Sequence, residues 1–377
     1  MGQPCSTTMT ENLHIVRHLP WNICIVIIIM KTSTTIRGYL HLPVNNPRVH
    51  RATPVSGRQH SLAPHRLVRQ HTVIHSPSVQ CKSTVTGIAP TSTVWELDFC
   101  SRPILDERGK KVWELLICDP SRTFEYSMYF PNNKINSTEL KKALEEILSR
   151  EGSVRPEKVL FFRSQMQTII TRALGELNIQ PVPSRRCFAL ISLLEDRLEN
   201  VYKKDPQYSE KASTLFTLNM GAPEELPDAL RGESWSFVQL PLGALRSELD
   251  QVLQGNAFGS VLDIQSLGLD VNDDTLIPGV AIYSRRANPL AAWTNGLELA
   301  AVVADTERAF LVLETGVNER WKYGAYRRTQ ETTEEADAWE QAKQAVGGLH
   351  FLAVMTDEEA DDCSGLWLLY DRKPPSV

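Results

Sequence analysis

Acidic residues are absent from most of the first quarter of the sequence. No Asp or Glu occurs from Asn12 to Trp95, and residues 1–95 carry 9 Lys and Arg against one acid, a net charge of +8. The remaining 31 basic and 44 acidic residues give residues 96–377 a net charge of −13. An acid-free stretch rich in Ser, Thr and Arg is typical of an organelle transit peptide, and its hydroxyl residues and Pro favour the chloroplast over the mitochondrion. We predict that residues 1–90 are a disordered transit peptide; a basic arm that binds RNA or anionic lipid is the alternative.

Long hydrophobic runs are also missing. The longest, residues 23–30 (ICIVIIIM), is far shorter than the roughly 18–20 residues that a membrane-spanning helix needs, so no membrane span is expected. Arg17 and His18 precede this run and lie far from the N-terminus. Met30 is an alternative start of the protein. The seven cysteines include no C-x-x-C pair, which excludes zinc ribbons and thioredoxin-type redox sites. The G-x-S-x-G, P-loop and dinucleotide-binding motifs are absent as well, and an enzyme is therefore disfavoured.

Hydrophobic periodicity predicts an α/β domain over residues 91–204. Residues 94–99, 112–118 and 122–130 have strand patterns, and the first two form a hairpin around Gly109. Asn136 and Glu139 resemble a capping box before an amphipathic helix that runs to Leu148. A short apolar strand at 158–162 and helices at 166–177 and 187–202 follow.

The same order of elements occurs a second time. Residues 205–234 are rich in Pro and Gly and are predicted to be a linker region, crossed by one short strand at 214–220. Within the second α/β domain, 235–377, a hairpin, a third strand, a helix capped by Thr332 and Glu335, and a strand at 350–355 succeed one another. We therefore expect two tandem, duplicated mixed-sheet units of ribonuclease-H-like type.

Carboxylates at the positions that a ribonuclease-H-type nuclease uses are incomplete. Such an enzyme holds two metal ions about 4 Å apart between carboxylates. Asp98 on the first strand and Glu145 or Glu146 on the helix are suitable, but the strand at 158–162 is followed by Arg163, a cation that repels metal ions. His350, the single His after residue 75, lies in an apolar strand, as a buried core histidine does. We expect no catalytic residue, metal ligand or cofactor.

Arginine pairs give a partial signal for nucleic-acid binding. Arg185-Arg186, Arg285-Arg286 and Arg327-Arg328 stand out against an acidic background, and several aromatic residues lie near them. Arginine binds phosphate bidentately, and aromatic rings offer stacking platforms for unpaired bases. A net charge of −13 opposes non-specific binding of RNA, so a site must be a local patch. A solvated surface is the structural alternative for each pair.

A set of motifs resembles one known family. They occur in chain order at residues 95–99 (WELDF), 101–103 (SRP), 111–117 (KVWELLI), 161–166 (FFRSQM), 183–186 (PSRR), 226–235 (LPDALRGESW), 277–279 (IPG), 284–287 (SRRA), 289–293 (PLAAW), 313–316 (LETG) and 348–353 (GLHFLA). This pattern resembles the TAB family of chloroplast and cyanobacterial RNA-binding proteins over about residues 94–373. Cys100 departs from it, because the family pattern leads us to expect an aromatic residue there.

The resemblance implies a stromal factor that binds single-stranded A/U-rich RNA in the untranslated region of photosystem reaction-centre mRNA. It further implies support of translation and of photosystem I biogenesis, with photosystem II as a possible addition, within a larger ribonucleoprotein complex. From the charge balance we predict one basic groove formed by Arg163, Arg185, Arg186, Arg285 and Arg286 and bordered by Trp293 or Trp321. A metal-dependent ribonuclease-H-like nuclease and a protein-only assembly scaffold are the alternatives.

Overall fold

The computed structural model describes residues 83–377 except 88, 214, 215, 217, 219, 361 and 362. The prediction of a transit peptide therefore lies almost entirely outside the described residues, and so do four positions of the strand predicted at 214–220. Within the described part, the chain is mixed α/β, as predicted, with helices packed against three sheets. No helix among the residues of this part is both long and apolar enough to cross a membrane.

The N-terminal half contains one six-stranded sheet. Its elements are β1 (Ser83–Gly87), β2 (Val94–Leu105), β3 (Lys111–Cys118), β4 (Phe124–Phe130), α1 (Ser137–Leu148), β5 (Lys158–Phe161), α2 (Gln167–Glu176), β6 (Gln180–Pro183) and α3 (Phe188–Arg197). The strand order is β1-β4-β3-β2-β5-β6, with β2, β5 and β6 parallel and the other pairs antiparallel. This order is compatible with the ribonuclease-H-like expectation.

Local sequence explains the first helix. The side chain of Asn136 accepts a hydrogen bond from the Glu139 N–H, so α1 begins where the capping pattern predicts. Leu140, Leu144 and Ile147 lie on one face of α1 and are fully buried in the core against β2–β5. The prediction of a structureless segment to residue 90 is wrong for β1, which pairs with β4.

The C-terminal half divides its strands between two sheets. Its elements are β7 (Glu224–Glu225), β8 (Ser234–Pro241), α4 (Leu242–Leu253), β9 (Phe258–Ser260), β10 (Leu276–Tyr283), α5 (Ala287–Asn295), β11 (Leu299–Asp305), β12 (Phe310–Thr315), β13 (Glu319–Ala325), α6 (Gln330–Ala345), β14 (Leu349–Met355) and β15 (Cys363–Tyr370). One sheet has the order β8-β10-β14-β15-β9 and the other β11-β12-β13-β7.

The expected duplication holds for the order of elements along the chain and not for their pairing. In the first half, β5 pairs with the first hairpin strand, β2. In the second half, β14 pairs with β10 on one side and β15 on the other, and the hairpin strands form their own sheet. The predicted elements also omit β10. The helix α6 begins three residues earlier than predicted, because Thr329 is its N-cap and the Thr332 side chain completes the capping box.

The segment between the halves packs on both of them. Tyr208 forms a bridge with Ile104 of β2, and β7 pairs with β13. The chain also returns to the first half after β15: Arg372 donates to Ser192 of α3, and Val377 is fully buried in a cluster with Leu190 and Phe162. The two halves share an interface, here called the joint, in which Arg185, after β6, pairs with Glu314 of β12 and Phe188 packs against Tyr370 of β15.

Candidate functional site

The carboxylate of Asp98 lies at the position that the nuclease hypothesis assigns to a metal ligand. Arg163, two residues beyond β5, donates from Nε to Asp98 Oδ1 at 2.6 Å, and Arg102 donates from Nη1 to Oδ2 at 2.8 Å. All three side chains are buried. Burial by itself would raise the pKa of Asp98, but the two guanidinium groups hold this pKa below its ordinary value. Asp98 is thus an ionised partner of two arginines.

A second buried carboxylate belongs to the same cluster. Glu114 of β3 accepts hydrogen bonds from Arg102 Nε at 2.8 Å, from Arg197 of α3 and from the hydroxyl of Tyr202. Burial strongly raises the pKa of Tyr202, which keeps its hydroxyl protonated as a donor. We call Asp98, Arg102, Glu114, Arg163, Arg197 and Tyr202 the arginine–carboxylate cluster. Its two carboxylates are occupied by three guanidinium groups, and the described residues contain no group of three or more His, Cys, Asp or Glu that could hold a metal ion.

Arg185 is a structural partner at the joint between the halves. It is 8% exposed and donates from Nη1 to Glu314 Oε2 of β12 at 2.7 Å; its Nη2 lies 3.4 Å from Asp371 Oδ1. The preceding residue, Ser184, donates its hydroxyl hydrogen to Glu298 Oε1 at 2.7 Å. The guanidinium group of Arg185 is therefore committed to carboxylates of the other half.

The same tripeptide, Ser-Arg-Arg, follows β6 and β10. The Ser184 N–H donates to Phe161 O of β5, and the Ser284 N–H donates to Met355 O of β14, each at 2.9 Å. Each serine hydroxyl then accepts the N–H of the second arginine, Arg186 at 3.0 Å and Arg286 at 3.1 Å. A helix follows both tripeptides. The two strand exits share their backbone geometry, and the surroundings decide what the arginines contact.

The second exit leaves its arginines in solvent. Arg285 and Arg286 are exposed, and no carboxylate of the described residues pairs with either guanidinium group. The Arg285 backbone N–H donates to Glu233 Oε2 at 3.0 Å, which fixes the start of the loop. Arg186 of the first exit is half-buried and has no carboxylate partner within the described part of the chain. Arg186, Arg285 and Arg286 are therefore the members of the predicted set that remain available to a phosphate.

Helix α5 separates the two exits. Arg286 is its N-cap, whereas Glu298, which accepts from Ser184, lies just beyond its C-terminal end. Nine residues of α-helix span about 13 Å, so the exits do not meet at one point. Trp293 of α5 and Trp321 of β13 pack edge to face with ring centroids 5.3 Å apart, and both are half-buried.

The predicted site residues are thus placed in two classes. Arg163 and Arg185 are internal ion-pair partners, and Arg186, Arg285, Arg286, Trp293 and Trp321 reach the surface to different degrees. The arginine–carboxylate cluster was not predicted from the sequence as a whole. The spacing of Asp98 and Arg102 was the available signal, because residues four apart in a strand lie on the same face.

Comparison with known proteins identifies the family. The family described as RNA-binding protein Tab2/Atab2 matches with its N-terminal domain over residues 94–197 and with its C-terminal domain over residues 213–370. The chain belongs to the Tab2/Atab2 family. Two relatives, each named Protein TAB2 homolog, chloroplastic, align over 283 residues, which are 75% of this chain. The relative from Zea mays is 52% identical over 73% of its own length, and that from Arabidopsis thaliana is 50% identical over 76%.

A partial match exists among solved structures. The catalytic core domain of HTLV-2 integrase, solved with magnesium, is 17% identical and covers 32% of this chain and 80% of its own, with a TM-score of 0.21. A superposition this poor supports no conclusion about fold or chemistry. The family assignment therefore rests on the Tab2/Atab2 domains, which cover both halves of the described structure.

Proposed function

We propose that this Tab2/Atab2 family member is a chloroplast RNA-binding protein that acts in the stroma on single-stranded A/U-rich RNA. The family description and the names of the two plant relatives support RNA binding and the chloroplast. The proposed targets are untranslated regions of photosystem reaction-centre mRNA. The proposed role is translation and photosystem I biogenesis within a larger ribonucleoprotein complex.

The observation that carries RNA binding is the exposed arginine pair of the second Ser-Arg-Arg exit. The body of the protein is acidic, so a polyanion has to be attracted by a local group of unpaired cations. Arg285 and Arg286 provide such a group, and Arg186 is a further candidate. In this proposal Arg163 and Arg185 hold the fold and the joint, and do not contact RNA.

The arginine–carboxylate cluster argues against the nuclease alternative. A two-metal mechanism needs carboxylate oxygens free to bind cations. Asp98 and Glu114 instead accept hydrogen bonds from guanidinium groups that would repel a metal ion. We therefore propose a binding function without catalysis.

Fluorescence anisotropy of the full-length chain with a labelled 20-nucleotide A/U-rich RNA tests this proposal. Replacing Arg285 and Arg286 with Ala should weaken binding and reduce the slope of log K against log salt by about 1.4, which is the loss of two phosphate contacts on a single strand. The control is Arg108→Ala with Lys110→Ala, which removes the same charge from an exposed turn of the first half. Absence of RNA binding by the unmodified chain would favour the scaffold alternative, and equal losses in both double variants would assign binding to overall charge.

A further inference from the structure

An open cleft lies beside the second Ser-Arg-Arg exit. It is formed where β8 begins and where β10 and β13 end, and Glu233, Trp235, Tyr323 and Ala325 are among its lining residues. Its cavity volume is about 80 Å³, well below the roughly 300–1,000 Å³ of small-molecule sites. The space therefore admits at most one small planar group and no folded partner.

Two glycines allow close packing at the wall of this cleft. A Cβ atom on Gly324 would lie 2.4 Å from Nε1 of Trp235, and a Cβ on Gly232 would lie 2.7 Å from Cγ2 of Ile282. Because neither glycine has a side chain, the indole of Trp235 lies directly against the β13 backbone. The indole is half-buried, and further aromatic contacts hold it: its ring packs at 5.1 Å from Phe237 and 6.0 Å from Tyr326. An aromatic ring fixed at the wall of a cleft is a preorganised stacking surface.

Two exposed arginine pairs follow the strands that line the cleft. Arg285 and Arg286 follow the end of β10, and Arg327 and Arg328 follow the end of β13, two residues beyond Ala325. All four side chains are exposed. Arg328 donates to the Glu307 carbonyl at 3.3 Å, and the described residues provide no carboxylate partner for any of the four. Both arginine pairs thus lie within four residues along the chain of residues that line the cleft, although the protein as a whole is acidic.

We propose that this cleft binds one unpaired nucleobase of single-stranded RNA, which stacks on Trp235 while Arg285, Arg286, Arg327 and Arg328 contact the adjacent phosphates. This assignment rests on the proposed RNA-binding function and adds Trp235, Arg327 and Arg328 to it. Glu233 also gives the cleft a preference. Its carboxylate only accepts hydrogen bonds, so a base with an exocyclic amino group, adenine or cytosine, fits better than uracil.

The test compares a 12-nucleotide oligo(A) with an abasic oligonucleotide of the same length, which retains the phosphates and lacks the bases. In the full-length chain, Trp235→Leu keeps a smaller apolar side chain and removes the aromatic face. We expect it to weaken oligo(A) binding by roughly fivefold or more and to leave the abasic strand unaffected. Arg327→Gln with Arg328→Gln should weaken both probes. Equal affinity of Trp235→Leu and the unmodified protein for oligo(A), or equal losses for both probes, would overturn the proposal.

A second pair of variants tests the cleft without touching the packed indole. Ala325 is exposed at the end of β13, so Ala325→Glu and Ala325→Gln introduce side chains of nearly the same size that differ in charge. We expect Ala325→Glu to bind oligo(A) several-fold more weakly than Ala325→Gln, and identical affinities would count against the cleft. If the unmodified chain binds neither probe, the proposed function fails together with the cleft. If Arg285→Ala with Arg286→Ala abolishes binding while the Trp235 and Ala325 variants bind normally, the function stands and the cleft is rejected.

Discussion

The two halves of the molecule have similar elements in the same chain order. They differ in what forms hydrogen bonds with the free edge of the first hairpin strand, β2 in the first half and β11 in the second. In the first half, β2 pairs with β5 through a parallel ladder of backbone hydrogen bonds. In the second half, side chains satisfy the corresponding edge of β11. His350 Nε2 accepts the Val302 N–H at 2.9 Å, Lys343 Nζ donates to Val302 O at 2.9 Å, and Glu340 Oε1 accepts the Ala304 N–H at 2.8 Å.

This difference shows how a duplicated order can build a different sheet. A buried strand edge must have hydrogen-bond partners, and these partners need not be another strand. Because three side chains satisfy β11, β14 is free to pair with β10 and β15. The Ser-Arg-Arg exits differ in the same way, since one lies in the joint and the other faces solvent.

The largest effect is expected for the arginine–carboxylate cluster. Asp98→Ala leaves the buried Arg163 and Arg102 without this counter-charge and should lower the free energy of unfolding by roughly 3–5 kcal/mol. Urea denaturation measures the change. Glu146→Ala, which removes an exposed ion pair with Arg150, should cost less than about 1 kcal/mol. A similar small loss for Asp98→Ala would show that the buried pairs are not required for the fold.

The two tripeptide exits predict effects of different size for the same substitution. Arg185→Ala removes the guanidinium group that pairs with Glu314 and Asp371 in the joint. It should destabilise the protein by about 3 kcal/mol. Arg285→Ala, at the corresponding position of the exposed exit, should change stability by less than about 0.5 kcal/mol. Thermal unfolding distinguishes the two variants. Equal stabilities would mean that the joint does not depend on Arg185.

The two exits also show which features can be predicted from the sequence and which cannot. The strands and helices of the first half follow from local periodicity and capping, as at Asn136. The strand β10 was missed because Pro278 and Gly279 are unfavourable within strands. Its parallel ladder with β14 begins only at Gly279, and the absence of a side chain there leaves room for the Phe351 ring, which would lie 2.3 Å from a Cβ atom. Arg185 and Arg285 have the same local sequence, and the acid that buries Arg185 is 129 residues away.

An intermediate effect is expected at the side-chain-satisfied edge of β11. His350 is fully buried, and its Nδ1 lies 2.8 Å from Gly348 O. Burial, followed by the charge of Lys343, holds the pKa of His350 well below its ordinary value of 6.5. As the pH falls below about 6.5, the unfolded chain takes up a proton that the native state excludes, so this residue makes acid destabilising.

His350→Gln should therefore flatten the dependence of stability on pH below about pH 6.5. His350→Ala should cost roughly 1–3 kcal/mol at neutral pH, because the Val302 N–H loses its acceptor. Urea titrations at several pH values check both statements. An unchanged pH slope in His350→Gln would mean that His350 titrates normally in the native state.

The smallest expected effect concerns the charges next to the exposed exit. Tyr283 and Met355 are paired in the parallel ladder of β10 and β14. Arg285 lies two residues after Tyr283 and Asp357 two residues after Met355, so both follow the ends of neighbouring strands, which are about 4.8 Å apart. Burial raises the pKa of Tyr283, the last residue of β10, and the charge of Glu358 adds to this shift. Asp357, Glu358 and Glu359 are exposed and follow the end of β14 by two to four residues.

These acids should oppose the approach of phosphate to Arg285 and Arg286. Asp357→Asn, Glu358→Gln and Glu359→Gln together should raise RNA affinity a few-fold at low salt, with the gain mainly in the association rate and diminishing as salt is added. The matched control is Glu107→Gln, Glu151→Gln and Glu157→Gln, which removes the same charge from exposed positions of the first half. Stopped-flow binding of a labelled single-stranded RNA separates the two sets. An equal gain in both would show that net charge alone sets the rate, whereas a gain confined to the residues after β14 would place the RNA at the second Ser-Arg-Arg exit.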